Sequence, residues 1–317
     1  MTRRRGIVAA GILLGGALLG GAAASAESCV GGAELPAFAD KRIALAEDTL
    51  FFKVSALALD QDGSPEAYGV RDQGTELVCN GLAPLSPAEC RGKNRGECFR
   101  ACQAAFAAWS RAGADVDRLD DFMCSIGLGG GGCSSPRVRL QDPPRQAWFV
   151  SETSVRLSPP DGTPGTGWSG SQAAQIDAVR IPYFVIPGGF RRLPWDATPG
   201  DAGVIVDARS GRSVPFVVGD TGGALDEAST AVHARLRDSA APPKTQRTSA
   251  LGETVDSYRT GMNGDFRVAI FRHTSRRQAG SSLLSLKPDE LGPWIDTTVE
   301  SKLRTIGGLD RVLACAS

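Results

Sequence analysis

The sequence predicts a mainly β protein with a few helices (α+β), in which short strands close into a β-barrel or pack as a sandwich. Residues 146–271 contain several short β-type runs that are separated by turn-forming residues. Two runs hold a proline, Pro182 and Pro215, which cannot donate a ladder hydrogen bond and so favours edges, bulges or barrel corners. Six of the eight cysteines lie in residues 79–133, which predicts a helical insertion held together by disulfides.

The predicted strands begin with a run at residues 51–68 that ends in an acidic turn. The later runs are residues 148–150, 181–186, 204–206, 214–218 and 266–271. The tetrapeptide Arg209-Ser210-Gly211-Arg212 predicts a hairpin turn between two of them. Helical spacing of apolar residues predicts helices at residues 97–112, from Glu227 to Leu236, and at residues 297–306.

The first 26 residues have the layout of a secretory signal peptide. Three arginines precede an apolar run at residues 6–22, and Ala24-Ser25-Ala26 is an A-x-A cleavage signal. A membrane anchor is the alternative, but the run is short and glycine-rich for a span. We therefore expect a secreted protein, extracellular or periplasmic, without stable membrane association. Residues 27–317 are expected to form a single domain, with the cysteine-rich insertion at about residues 79–133.

All eight cysteines follow the cleavage signal, and an even count in an exported chain predicts four disulfides. Cys29 and Cys315 lie at opposite ends of the mature chain, and we expect a bridge between them because chain termini are often close in space. Zinc is the competing use of cysteine, but no Cys-x-x-Cys pair occurs and both histidines lie far from the cluster. We expect no metal site and no cofactor.

The chain carries 35 basic and 35 acidic residues, a balance that argues against a nucleic-acid binder. It neither supports nor excludes a cationic sugar polymer as a partner, because the local charge of a binding site decides that. We expect a monomer that binds a polysaccharide and no nucleic acid.

The segment from Asp220 to Glu227 is the most informative part of the chain. An apolar run ends at Asp220, a glycine-rich turn follows, and Glu227 comes seven residues later, where helix-like sequence begins. Two carboxyl groups facing each other across a cleft are the minimum equipment for hydrolysing a glycosidic bond. Each also has a structural interpretation. Asp220 can start a turn, and Glu227 can sit in the first turn of a helix that Asp226 caps.

Four blocks of sequence, in order along the chain, resemble the family 75 glycoside hydrolases, which are chitosanases. The blocks are an acidic-glycine turn (59–68), a Ser-x-Thr-Ser segment (148–155), an Ile-Pro-Tyr strand (177–187), and Gly-Asp-Thr-Gly with Glu-Ala-Ser (219–222 and 227–229). The resemblance spans about residues 59–271. It implies a glycoside-hydrolase-like catalytic domain, with Asp220 and Glu227 as the essential carboxyls of an inverting, endo-acting enzyme on β-1,4-linked glucosamine polymer (chitosan).

Three departures from the family pattern bear on the substrate. Asp226 stands where the family usually has glycine, the loop between the two carboxyls is short, and the cysteine-rich insertion is not part of the common core. We favour Glu227 as the acid and Asp220 as the base.

The six residues Asp220–Leu225 are similar to a segment in the barrel domains of membrane-bound lytic transglycosylases of type A. It implies a double-psi-like β-barrel and supplies a rival substrate, peptidoglycan. A non-catalytic carbohydrate-binding envelope module on an inherited hydrolase scaffold is the alternative from another class.

Four further residues are candidates for substrate binding. Asp60 and Asp62 can bind ammonium groups of the substrate, with an ordinary Asp-Gly turn or a calcium-like loop as the alternatives. Tyr68 can stack on a sugar ring, and it can equally belong to the core. Thr221 follows the candidate catalytic Asp220 directly. His233 is expected to be a packed surface histidine rather than a base.

Overall fold

The structure is a computed structural model, and it describes part of the chain in detail. The described residues are 29, 31–71, 73–74, 78–79, 92–111, 129–130, 135–136, 141, 147, 149–163, 165, 167–249 and 251–316. The predicted signal peptide and most of the cysteine-rich insertion lie outside them. In the described part, no helix combines the length and the apolar character needed to cross a membrane.

The strands and helices follow one another in an order that fits the predicted mainly β class. The strands are β1 Ala33–Phe38, β2 Lys41–Ala46, β3 Thr49–Asp60, β4 Gly129–Gly130, β5 Ser135–Pro136, β6 Tyr183–Pro187, β7 Ala202–Asp207, β8 Ser213–Gly222, β9 Glu227–Ser229, β10 Lys244–Thr248, β11 Thr254–Tyr258 and β12 Gly261–Phe271. The helices are α1 Arg95–Arg111, α2 Thr230–Leu236, α3 Pro288–Ile306 and α4 Gly308–Cys315.

Six strands close into a β-barrel in the order β3, β12, β7, β8, β6 and β9, with β9 pairing back onto β3. Two of these pairings, β6 with β8 and β3 with β9, are parallel, and the others are antiparallel. Strands β1 and β2 extend the sheet from β3, and β10 and β11 form a separate hairpin. The predicted barrel is therefore confirmed.

Alternating side chains divide the barrel into an inner and an outer core. Phe52, Phe184, Phe216, Val218 and Phe266 are among the residues that fill one buried cluster in the barrel interior. On the outer surface Tyr183, Val185 and Val217 belong to a second cluster, which α3 and α4 cover. The side that a residue faces consequently decides whether it can take part in a solvent-accessible site.

Two disulfides tie the described parts of the chain together. Cys29 bonds Cys315, with the Cα atoms 4.5 Å apart, which confirms the predicted bridge between the chain ends. Cys79 bonds Cys102 on α1, and Cys98 is also disulfide-bonded. The other three cysteines lie outside the described residues. Disulfides persist in oxidising compartments, which fits an exported protein.

Most predicted elements are present, with corrections at their ends. The run at residues 51–68 is β3 followed by an acidic turn, and the predicted hairpin turn joins β7 to β8. The predicted helix at residues 97–112 is α1, and the predicted tail helix begins earlier than expected and continues into α4. Around Phe149 the described residues form isolated bridges rather than a strand.

The helix predicted to begin at Glu227 starts three residues later. Glu227 belongs to the short strand β9, whose parallel pairing with β3 replaces the first helical turn. The N-cap of α2 is Ser229, whose hydroxyl accepts a hydrogen bond from the backbone N–H of Val232, so the predicted capping role of Asp226 is wrong.

Candidate functional site

A β-bulge at Gly219 sets the direction of the Asp220 side chain. In the β6–β8 ladder Phe184 pairs with Val218 and Val185 pairs with Asp220, so Gly219 is the extra residue. Without the bulge Asp220 would share the inner face with Val218, and with it Asp220 shares the outer face with Val185. Gly219 fits there because a Cβ atom would lie 2.6 Å from the Cβ of Tyr183.

Asp60 and Asp62 reach the same outer face from the end of β3. Asp60 pairs with Ser229 of β9, and the backbone N–H of Asp62 donates to Asp60 Oδ1 at 2.7 Å, forming the predicted acidic turn. One carboxylate oxygen from each of Asp60, Asp62 and Asp220 lies within 4.8 Å of the other two. We call these three residues the acidic trio.

Hydroxyl and amide groups from loops hold the acidic trio in place. Asp62 Oδ1 accepts hydrogen bonds from the hydroxyls of Tyr68 (2.8 Å) and Ser151 (2.6 Å). Asp220 Oδ1 accepts from the backbone N–H (2.8 Å) and the hydroxyl (2.6 Å) of Ser154. The backbone N–H of Thr221 also donates a hydrogen bond to the Asp220 carboxylate.

Glu227 lies beside the trio, across the turn that follows β8. A Cβ atom at Gly222 would lie 2.6 Å from Glu227 Oε2 and 2.8 Å from Cγ1 of Val185. The absence of a side chain at Gly222 therefore allows the Glu227 carboxylate to approach the end of β8. Asp220 therefore lies near the end of β8, and Glu227 lies at the start of β9, across the turn between these strands.

Burial and mutual repulsion raise the pKa values of these carboxyl groups. Burial, followed by the negative charge of Asp62, raises the pKa of Asp220 from 3.8 to about 7. Burial also raises the pKa of Asp62 and of Glu227, and the nearby charges of Asp226 and then Asp62 add to the effect on Glu227. Near neutral pH, Asp220 is consequently close to half-protonated.

Five of the residues predicted from the sequence to form the site lie together in the structure. Asp60, Asp62, Asp220, Glu227 and Thr221 lie at the adjoining ends of β3, β8 and β9 and in the turn after β3. Thr221 Oγ1 is 2.7 Å from the hydroxyl of Ser154.

Tyr68 does not offer its ring for stacking on a sugar, and His233 does not offer a base. Tyr68 is 7% exposed and its ring stacks on Phe149 with centroids 4.3 Å apart, so only its hydroxyl reaches Asp62. His233 is fully buried rather than on the surface, with Nε2 3.0 Å from the carbonyl oxygen of Ala58. Burial lowers the pKa of His233 to about 4, so its ring is neutral.

Three polar residues of the site were not singled out from the sequence. Ser151 and Ser154 bond the carboxylates, and the hydroxyl of Tyr183 donates to the backbone carbonyl of Asp62 at 2.8 Å. All three lie within the sequence blocks that carry the family resemblance, which is the signal that could have identified them.

In the described part of the chain, the carboxylate oxygens of the acidic trio lie close enough together to hold a metal ion. The same short spacing brings like charges together, and the charge of Asp62 adds to burial in raising the pKa of Asp220.

A cavity of about 660 Å³ opens beside the turn that carries Asp62. Its lining includes Gly63 and Pro65 of that turn, Gln172 and Gln175, and the carboxylate-bearing Asp177. Volumes of this order are typical of small-molecule sites. Asp60, Asp62, Asp220 and Glu227 are not among its lining residues, so this cavity lies next to the turn after β3 rather than at the carboxyl groups themselves.

No family model matches this chain, and no characterised protein sequence matches it.

Proposed function

We propose that the chain is a secreted glycoside hydrolase that cleaves a β-1,4-linked amino-sugar polymer, with chitosan as the first candidate substrate. The observation that carries the proposal is the pairing of Asp220, whose pKa is raised to about 7, with Glu227 on the opposite side of one turn. Acid and base roles in glycoside hydrolysis require two carboxyl groups, one that holds a proton at the working pH and one that is ionised.

The burial of Asp220 favours the reverse of the roles expected from the sequence. An acid must hold a proton at the working pH, and Asp220 does so more readily because it is 9% exposed and lies beside Asp62. In this scheme the carboxyl group of Asp220 protonates the glycosidic oxygen as the bond to the anomeric carbon breaks. Glu227 accepts a proton from the water that attacks the opposite face of the sugar, which inverts the configuration.

The inverting scheme requires room for that water between the two carboxyl groups. Inverting enzymes hold them roughly 6.5–9.5 Å apart, whereas retaining enzymes hold them at about 5 Å. Gly222, the last residue of β8, places no side chain against the Glu227 carboxylate, where a Cβ atom would lie 2.6 Å from Oε2.

The remaining two carboxylates of the trio supply a reason for an amino-sugar substrate. Asp60 and Asp62 present negative charge next to the reacting pair, and the ammonium group of a glucosamine unit would neutralise it. A neutral sugar would leave the repulsion among the carboxylates in place. We therefore propose Asp60 and Asp62 as the subsite for a substrate ammonium group.

The test is hydrolysis of chitosan by the disulfide-intact protein, following new reducing ends and product configuration. We expect activity in the wild type and a loss of at least 100-fold in Asp220→Asn and in Glu227→Gln, because acid–base catalysis contributes about 10²–10⁴-fold. Asp256→Asn, an exposed aspartate on β11, is the matched control and should keep full activity.

The outcome also separates the alternatives. Activity on peptidoglycan with none on chitosan would favour a transglycosylase-type enzyme. Binding of either polymer with no turnover would leave a carbohydrate-binding module. Undiminished hydrolysis in both carboxyl variants would show that the proposed pair does not carry the reaction.

A further inference from the structure

A second cavity, of about 750 Å³, opens on the side of the barrel where the β10–β11 hairpin meets β12. Its lining includes Arg237, Arg247 and Arg259, together with Tyr258 and Asn263. Its volume lies within the range of ligand-binding cavities. Its charge is opposite to that of the acidic trio.

Two of these arginines, Arg237 and Arg259, line the same cavity and lie near enough for their charges to interact. The charge of Arg259, after burial, lowers the pKa of Arg237, which shows that the two cations are close enough to repel. Arg237 donates to the carbonyl oxygen of His233 at 3.2 Å, which fixes it at the C-terminal end of α2. Among the described residues the side chain of Arg259 makes no hydrogen bond or ion pair.

A third cation lies next to this pair. The ammonium group of Lys244 sits over the ring of Tyr258, 5.0 Å from its centroid. The carboxylates that act on this neighbourhood are Glu66 and Asp177, which raise the pKa of the Tyr258 hydroxyl, and neither forms an ion pair with Arg237 or Arg259. Arg237 and Arg259 therefore form no ion pair within the described part of the chain, whereas Arg247 has interaction partners, among them the backbone carbonyl oxygen of Gly74.

The cavity is continuous with the edge of the candidate site. A smaller cavity of about 300 Å³ shares Thr260, Gly261, Met262 and Asn263 with it and extends to Asp226. Across the sheet Gly261 pairs with Ala58, and Ala58 pairs with Glu227. Two strand spacings separate Gly261 from Glu227, which is about 10 Å.

We propose that Arg237 and Arg259 form a subsite for an oxyanion, and that in the substrate this oxyanion is an acidic substituent of an amino-sugar polymer, which plain chitosan does not carry. Paired guanidinium groups bind carboxylate or phosphate through charge-assisted, bidentate hydrogen bonds. A polymer with its backbone at Asp220 and Glu227 would place an acidic substituent over Arg259. This inference rests on the proposed function for the identity of the polymer, but the oxyanion subsite itself does not.

The first arm of the test measures the subsite alone. Inorganic phosphate is titrated into the full, disulfide-intact chain by calorimetry at neutral pH. We expect saturable binding that weakens about tenfold or more in Arg259→Gln, because a charge-assisted hydrogen bond to an exposed cation is lost. Arg209→Gln, an exposed arginine in the β7–β8 turn, is the matched control and should bind as the wild type does. No phosphate binding by the wild type, or equal binding by Arg259→Gln, overturns the subsite.

The second arm identifies the source of the oxyanion. Affinities of a carboxylate-bearing amino-sugar oligomer and of its neutral counterpart are compared in the Asp220→Asn background, where turnover does not interfere. We expect tighter binding of the acidic oligomer, with the preference abolished by Arg259→Gln. Phosphate binding without such a preference assigns the subsite to a free oxyanion and overturns its placement on the polymer. Phosphate binding with no affinity for either oligomer would leave the subsite standing while the proposed function fails.

Discussion

The raised pKa of Asp220 predicts that the folded protein loses stability as the pH rises through the neutral range. The carboxyl group titrates near 3.8 when unfolded and near 7 when folded, so between these values the native state binds more protons. Stability therefore falls with increasing pH across this window. A pKa shift from 3.8 to about 7 lowers the free energy of unfolding by about 4 kcal/mol once Asp220 is ionised in both states, at about 1.4 kcal/mol per pKa unit.

Asp220→Asn removes this penalty while keeping most of the local contacts. The amide oxygen can still accept the hydrogen bond from the backbone N–H of Ser154, but the group carries no charge to repel Asp62. We expect the variant to be about 2–4 kcal/mol more stable than the wild type at about pH 8.5, because ionisation of a buried group is avoided. At about pH 4 the two proteins should agree within about 1 kcal/mol, because the native carboxyl is then already neutral.

The measurement is urea unfolding at both pH values and constant ionic strength, with disulfides intact and the midpoint and slope fitted separately. Asp256→Asn serves as the control, because its exposed carboxyl should leave the pH profile unchanged. Parallel profiles for the wild type and Asp220→Asn would refute the reasoning. They would mean that Asp220 titrates in the folded protein as it does in the unfolded chain.

The remaining predictions concern the bulge and the chain ends. Gly219→Ala should destabilise the fold by about 1–3 kcal/mol, as overpacked sites do, and abolish hydrolysis, because the new Cβ would lie 2.6 Å from the Cβ of Tyr183. Urea unfolding and the chitosan assay check it, and full activity would show that the bulge is dispensable. Replacing Cys29 and Cys315 together by serine should cost about 3–5 kcal/mol, because this bridge closes a loop with a sequence separation of 286. A thermal scan that matches the wild type would contradict this.

Much of the barrel can be predicted from the sequence because its strands are buried on both faces. Runs such as residues 204–206 and 214–218 are almost continuously apolar, and the turn between them is short and carries Gly211 in the left-handed region. Local pattern and final pairing agree there. The strand pattern alone fits a barrel or a sandwich, because closure depends on β9 pairing with β3, which is distant in sequence.

The site was harder to predict because its geometry depends on non-local pairing. The helical spacing after Glu227 does correspond to a helix, α2, but residues 227–229 form β9 instead because they pair with β3 and β6. The bulge at Gly219 leaves no trace in a period-two pattern, although it reverses the face that Asp220 occupies. The family resemblance made the two carboxyls candidates, whereas Ser151 and Ser154, although they lie in the same sequence blocks, were found from their contacts.

The acidic trio links substrate charge to the strength of the proposed acid. The pKa of Asp220 is raised partly by the charge of Asp62, so a cation bound at Asp60 and Asp62 would lower it. Under the proposed function, an ammonium group arriving at the trio would therefore make Asp220 a stronger acid when a glycosidic oxygen is within reach, while burial, the larger cause of the raised pKa, still favours the protonated form. A polymer without that charge would meet a weaker acid. N-acetylating the substrate unit at this subsite should consequently reduce kcat more than it raises KM, and equal effects on both would argue against this coupling.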